Sequence, residues 1–391
     1  MILFIFIFLF ISNVEAEDFK LYSDEALLYN VNDNNILYEK NKDKKVSIAS
    51  LTKMMTAIVS IEKIEDLNTK VSFKKSDYEK LMAMDAAASS LNKDGVYTFD
   101  DLLHGLLMES GADCANALAR LTYKDEKTFV KMMNNKAKEL GMKNTSFANP
   151  IGMDNPNNYS TMEDLSILFR YGLKNPIFKK TITTFTYTLS DGTKIGHTIK
   201  YYIKNTKLDV PYILGGKTGY ENNAGYALAT IAYKNGTLLM FITSNAKNYG
   251  EHLKDAKTIY DYYFSNYDYH TIIKKGDILT TLKGKYLSKD YIDIKAKEDI
   301  KYYLKNDYKK EDIKISYDGK DVVTYNDKYN SNLGYINISY MDKLVKREVV
   351  KLNEKIYPDM KIVIIASICY IIIITSTIIV VCKVRKNAKF N

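Results

Sequence analysis

The order of hydrophobic periods along this 391-residue chain predicts an α+β fold: an antiparallel sheet flanked by helices, then a small all-β domain and a C-terminal transmembrane helix. Three observations carry the prediction. Strand-like runs stand at both ends of the first two thirds of the chain with helical periods between them, so one antiparallel sheet is expected in which the first and last strands meet. From about His270 the long amphipathic periods stop and short alternating runs take over. Residues 362–382 then give 21 positions without a charge, and about 20 such residues cross a bilayer.

Taken in order, residues 2–11 are an apolar run, and Val14-Glu15-Ala16 behind it suits the cleavage site of a secretory leader. Residues 1–16 are therefore expected to be a signal peptide, although no basic residue precedes the run. The main domain is expected at 17–268. It opens with a hairpin, residues 26–31 and 36–38 around Asn32-Asp33-Asn34-Asn35. Helical periods follow at 51–64, 98–108, 112–123 and 126–140, and residues 225–233 and 237–244 flank Asn235-Gly236, the strongest two-residue hairpin signal. Alternation at 278–282, 292–296 and 333–338 predicts a small β-rich domain at 269–358, read as a stalk. Behind the 362–382 span, the tail 383–391 carries Lys383, Arg385, Lys386 and Lys389. The positive-inside rule places that tail in the cytoplasm. The chain is thus expected at the cell membrane, single-pass, with its main domain extracytoplasmic.

Composition narrows the function classes. Of the formal charge of +9, the tail carries +4 and the leader −1, leaving +6 on the exported part. Its lysines are interspersed with acids, so nucleic-acid binding is not indicated. Cys369 and Cys382 lie in the span, leaving Cys114 without a disulfide partner outside. His104, His197, His252 and His270 have no ligand spacing, so no metal and no cofactor is expected.

The candidate chemistry starts at Ser50 and Lys53. Positions i and i+3 share a helix face, so the Lys53 amine can take the Ser50 proton and activate a weak nucleophile. Lysine does this only if burial or a neighbouring positive charge brings its pKa towards neutrality, and a second cation is therefore expected. The spacing alone is common: Ser60/Lys63, Ser72/Lys75, Ser90/Lys93 and Ser244/Lys247 repeat it, and a solvated helix face accounts for such pairs. Ser50 differs in its apolar flanks and in two motifs downstream. Ser110-Gly111-Ala112-Asp113 lies between helical periods, where Ser110 either relays protons in a cleft or caps the next helix. Gly216-Lys217-Thr218-Gly219, which occurs once, reads as a strand. Lys217 either supplies the second cation or guards a sheet edge, and Gly219, lacking a Cβ, lets a ligand's backbone approach.

In this order the three motifs resemble the S-x-x-K, S-x-N and K-T-G signature of the penicillin-recognising serine enzymes. More closely, the chain resembles the D-alanyl-D-alanine carboxypeptidases, the low-molecular-mass penicillin-binding proteins of the bacterial cell wall. The stretches 46–57, 101–108, 149–154 and 159–165 support the likeness, which covers about residues 20–265 and continues loosely to 358. The resemblance implies a β-lactamase/transpeptidase-like sheet, with Ser50 as acylated nucleophile, Lys53 as its base and Ser110 as relay to the leaving amine. Lys217 and Thr218 would clamp the substrate's terminal carboxylate beside Gly219, and the backbone N–H groups of Ser50 and Tyr220 would form the oxyanion hole. The implied substrates are peptidoglycan stem peptides ending in D-Ala-D-Ala, with β-lactams as covalent inhibitors. A DD-endopeptidase, a β-lactamase or a catalytically impaired wall-binding protein remain open. A β-lactamase needs a glutamate to activate the deacylating water, for which Glu163 is not an obvious candidate. Impairment is raised by Ala112, which stands where the family's second motif has an asparagine that would hold the lysine and the substrate backbone.

Overall fold

The computed structural model describes residues 19–387, so the expected leader at 1–16 and the last four residues of the tail lie outside the described residues. The chain divides into two compact units, one ending at Asn266 and the other starting at Tyr267.

The first unit is built on a five-stranded antiparallel sheet. Its strands are β1 (Glu25–Asn30), β2 (Asn35–Lys40), β3 (Ile213–Glu221), β4 (Gly225–Lys234) and β5 (Thr237–Ala246), in the spatial order β2-β1-β5-β4-β3. The strands from the two ends of the unit do meet: β1 pairs with β5 from Glu25↔Ser244 to Asn30↔Leu239. At the β4–β5 turn both Asn235 (φ 50°) and Gly236 (φ 83°) are left-handed, the conformation a twist-matched two-residue hairpin requires. Successive side chains of a strand point to opposite faces. Accordingly Leu27, Tyr29, Ile231, Met240 and Ile242 join the core beneath one face, while Phe241 meets Tyr260 on the other, ring centroids 6.1 Å apart.

The helices of the first face are α1 (Lys53–Ile61), α2 (Phe99–Met108), α3 (Ala112–Tyr123), α4 (Glu126–Glu139) and α5 (Met162–Lys174). A short α6 (Thr198–Thr206) lies against β3, and α7 (Glu251–Asn266) covers β4 and β5. Local chemistry starts several of them. Thr98 accepts from the Asp101 amide at 3.1 Å while Asp101 accepts from the Thr98 amide at 2.8 Å, a reciprocal capping box. The expected helix at 51–64 begins instead as a 3-10 turn, Ala49–Thr52, and ends at Ile61. The Met162–Lys174, Thr198–Thr206 and Glu251–Asn266 helices were not anticipated from periodicity. Every residue of α1 is buried. It packs against α2, α3, α4 and α5, as an apolar helix without a polar face must.

The second unit carries three small sheets, with β-hairpin pairings such as Ile278–Lys285 against Tyr291–Lys295 and Asn332–Tyr340 against Lys343–Lys351. Its separate core includes Leu282, Ile292, Ile294, Ile336, Ile338 and Val350. The helix α8 (Met360–Asn387) ends the described chain; an 18-residue stretch within residues 360–385 has a mean hydropathy of 2.7, and none of that apolar stretch is buried. It is long and apolar enough to cross a membrane.

Candidate active site

The 3-10 turn positions the first pair. In such a turn residues i and i+3 eclipse one another, and Ser50 lies inside it with Lys53 at the first position of α1. Lys53 Nζ is 2.8 Å from Ser50 Oγ. The same amine donates to the backbone carbonyl of Ile151 at 2.6 Å. Lys53 is 2% exposed, and burial brings its pKa down to about 7, against the opposing pull of Glu221, Asp113 and Cys114. Desolvation, rather than a second cation, is thus the main cause. The repulsion between the two lysines falls on Lys217, which is fully buried and pushed well below the ordinary lysine value, first by burial and then by Lys53.

Two glycines let backbone reach Ser50. A Cβ on Gly219 would sit 3.0 Å from the Ser50 amide nitrogen and 3.4 Å from that of Leu51. The space left by this glycine therefore lies directly over the Ser50 N–H, a sharper role than the approach of ligand to a strand edge. Gly152 has φ 86°, and a Cβ there would fall 2.1 Å from the Ala49 carbonyl oxygen. Only glycine adopts this conformation freely, so the 149–154 loop can lie against Ala49 and Ser50. That loop also accepts the Thr56 hydroxyl on the Pro150 carbonyl at 2.6 Å. Its Asp154 takes the Ser47 hydroxyl at 3.0 Å and the Asn223 amide at 3.3 Å.

Lys217, Thr218, Gly219 and Tyr220 lie together on β3, at the edge of the sheet. Lys217 Nζ donates to the Thr218 carbonyl at 2.7 Å. The Thr218 hydroxyl donates to Thr198 Oγ1 at 2.9 Å, and His197 caps α6 by accepting from the Ile199 amide at 3.1 Å. Burial and the adjacent Lys217 push His197 down to about 3, so its ring is neutral. Tyr220 is half exposed.

Ser110 does not cap α3. The N-cap is Gly111, with no side-chain hydrogen bond, and Ser110 precedes it in a left-handed conformation, φ 65°, nearly buried. Such backbone costs on the order of 1–3 kcal/mol for a non-glycine residue. Asp113 is fully buried, but its carboxylate is taken by the Ser89 amide at 2.9 Å, the Ser89 hydroxyl at 2.7 Å and the Lys93 ammonium. It makes no hydrogen bond to Lys53. Ala112 is fully buried, and its methyl group offers no hydrogen bond. Ala112→Asn is expected to raise kcat/KM for a D-Ala-D-Ala peptide about tenfold, since a hydrogen bond to a charged group contributes roughly 1.5–3 kcal/mol and each 1.4 kcal/mol is a decade. Steady-state hydrolysis by both forms measures it; an unchanged or lower value removes Ala112 as a cause of impairment.

Glu163 is held at the surface, 3.7 Å from Lys42 Nζ. Sequence reasoning missed the Ile151 carbonyl, His197, Thr198 and Glu221. No residue-type pattern marks them, and only the stretch 149–154 had drawn notice. Among the described residues no cluster of His, Cys, Asp or Glu suited to a metal ion occurs.

A family model described as D-alanyl-D-alanine carboxypeptidase, Peptidase S11, matches residues 12–248. The chain is 31% identical over 294 residues to the D-alanyl-D-alanine carboxypeptidase DacF of Bacillus subtilis, covering 73% of this chain and 75% of that protein. It is also 31% identical over 229 residues to a D-alanyl-D-alanine endopeptidase of Haemophilus influenzae, covering 57% and 75%. In structure it is similar to penicillin binding protein 5 from Haemophilus influenzae, with a TM-score of 0.70, 22% identity, and coverage of 87% of this chain and 99% of that one.

Proposed function

This chain belongs to the D-alanyl-D-alanine carboxypeptidase family, the low-molecular-mass penicillin-binding serine peptidases, and from that premise we propose that it removes the terminal D-alanine from peptidoglycan stem peptides through an acyl-enzyme on Ser50. The observation that carries this reading is the buried Lys53 amine 2.8 Å from Ser50 Oγ, brought to about 7. A neutral amine there takes the hydroxyl proton as Ser50 Oγ bonds to the carbonyl carbon of the penultimate D-alanine. The developing oxyanion is held by the Ser50 and Tyr220 amides; losing one such donor typically costs about 3 kcal/mol of barrier. The proton passes by way of Ser110 to the leaving D-alanine nitrogen as the peptide bond breaks. Lys217 and Thr218 hold the carboxylate of that leaving residue. Water then hydrolyses the ester and restores Ser50. A β-lactam opens on the same serine and stays. Covalent labelling of the protein by a fluorescent β-lactam, together with release of D-alanine from a D-Ala-D-Ala peptide, tests the reading.

A second reading, the endopeptidase, is supported by the Haemophilus influenzae relative named for that activity. It uses the same acyl step on a cross-linked peptide. Comparing a cross-linked dimer with a linear pentapeptide separates the two.

The reading includes export of residues 17–361 and anchoring by 362–382. Full-length protein is expected to resist both salt and alkaline extraction from membranes, and a chain ending at Asp359 is expected in the medium. Release of the intact form by salt alone contradicts the anchor.

A further inference from the structure

Lys217, Gly219 and Glu221 occupy alternate positions of β3, so their side-chain directions share one face. That face looks at the nucleophile, because a Cβ on Gly219 would meet the Ser50 amide. Glu221 is thus the next side chain on the Ser50 side of the strand, and it interacts electrostatically with Lys53. It is half-buried, and its carboxylate has no hydrogen bond or ion pair among the described residues.

The proposed reaction orients a substrate along β3. Its C-terminal carboxylate lies at Lys217 and Thr218 and its scissile carbonyl between the Ser50 and Tyr220 amides. A strand rises about 3.3 Å per residue and an extended peptide advances by a similar step. The residue preceding D-alanyl-D-alanine therefore lies level with Glu221 or just beyond it. Beside Asp154 and Asn223 a cleft of about 430 Å³ opens, lined also by Lys45, Ser47, Asn158 and Tyr159 among others, with the Lys45 ammonium set over the Tyr159 ring at 5.1 Å. Asn158 is 1% exposed, and its amide oxygen lacks a hydrogen-bond partner. Asp154 is close enough to Glu221 that, after burial, its charge is the largest influence raising the Glu221 pKa, to about 7; Asp85 adds to it and Lys53 opposes. A ligand cation would relieve this crowding and meet acceptors on both sides.

Resting on the carboxypeptidase reading above, we propose that Glu221, with Asp154, is a specificity determinant that selects peptides whose residue before D-alanyl-D-alanine carries a free side-chain ammonium group. Lysine stands at the leaving carboxylate, whereas on the acyl side the two carboxylates of Glu221 and Asp154 outnumber the single ammonium of Lys45.

Two peptides differing only in that ammonium test it: Nα-acetyl-L-lysyl-D-Ala-D-Ala and its Nα,Nε-diacetyl form. The full-length protein is expected to favour the free amine by about tenfold or more in kcat/KM, in the range of a charge-assisted hydrogen bond. Glu221→Gln brings the two values near parity, Glu221→Lys reverses the order, and Asp154→Asn narrows the preference. Because each ratio is measured on one preparation, partial misfolding of a variant cancels. Equal rates on both peptides for the unmodified protein, or a preference that survives Glu221→Gln, overturns the proposal. If the unmodified protein turns over neither peptide, the carboxypeptidase reading itself falls and takes this one with it.

Discussion

Ser50→Ala is expected to abolish covalent labelling by a β-lactam and turnover of D-Ala-D-Ala peptides while leaving the fold intact. The change removes only the hydroxyl that bonds to the acyl group. Structurally it is mild, since Ser50 is only partly buried and its hydroxyl is held by a single described hydrogen bond, from Lys53. Mass spectrometry of the labelled protein reads the outcome, and an unchanged thermal transition excludes unfolding. Labelling of Ser50→Ala at the stoichiometry of the unmodified chain sinks the assignment. Ser72→Ala is the control: that serine precedes a lysine at the same spacing but is exposed on a short edge strand, and its loss should leave labelling unchanged.

Lys53→Met is expected to lower the acylation rate by about 10²–10⁴-fold, the usual contribution of a positioned general base. Methionine fills a similar volume in the buried position but cannot accept a proton. The Ile151 carbonyl loses its donor, which costs about 1–3 kcal/mol of stability, so the variant should unfold at a lower temperature yet remain folded at 25 °C. The pH dependence has a definite sign. The base works only when unprotonated, and burial sets its pKa near 7; acylation should therefore rise from pH 6 to 8, be half-maximal near 7, and fall about tenfold per unit below 6. Stopped-flow acylation across this range checks it. A rate flat from pH 6 to 8, or a Lys53→Met protein acylating as fast as the unmodified one, rules out Lys53 as the base.

Much of the architecture was legible because it depends on near neighbours. The Asn235-Gly236 turn and the change to alternation near His270 could be read locally, and the meeting of first and last strands followed from their pattern. The turn at Ser50 was less so: the apolar period there reads as one helix, whereas the backbone tightens into a 3-10 turn where β3 and the 149–154 loop press on Ala49 and Ser50. The helices Thr198–Thr206 and Glu251–Asn266 went unseen because tyrosines and lysines interrupt their apolar period, and their positions are decided by the sheet they cover.

By itself the sequence determined the three motifs, their order and the family likeness they carry, because residue identity and spacing are properties of the covalent chain. How far the Lys53 pKa falls, what lies over the Ser50 amide and which acid faces Ser50 were decided only by the tertiary structure. Lys53 meets the Ile151 carbonyl across 98 positions of sequence, Gly219 meets Ser50 across 169, and Glu221 acts on Lys53 from the edge strand β3. A pKa is set by how much water is excluded and by which charges stand within a few ångströms, and neither quantity exists until distant segments are packed together.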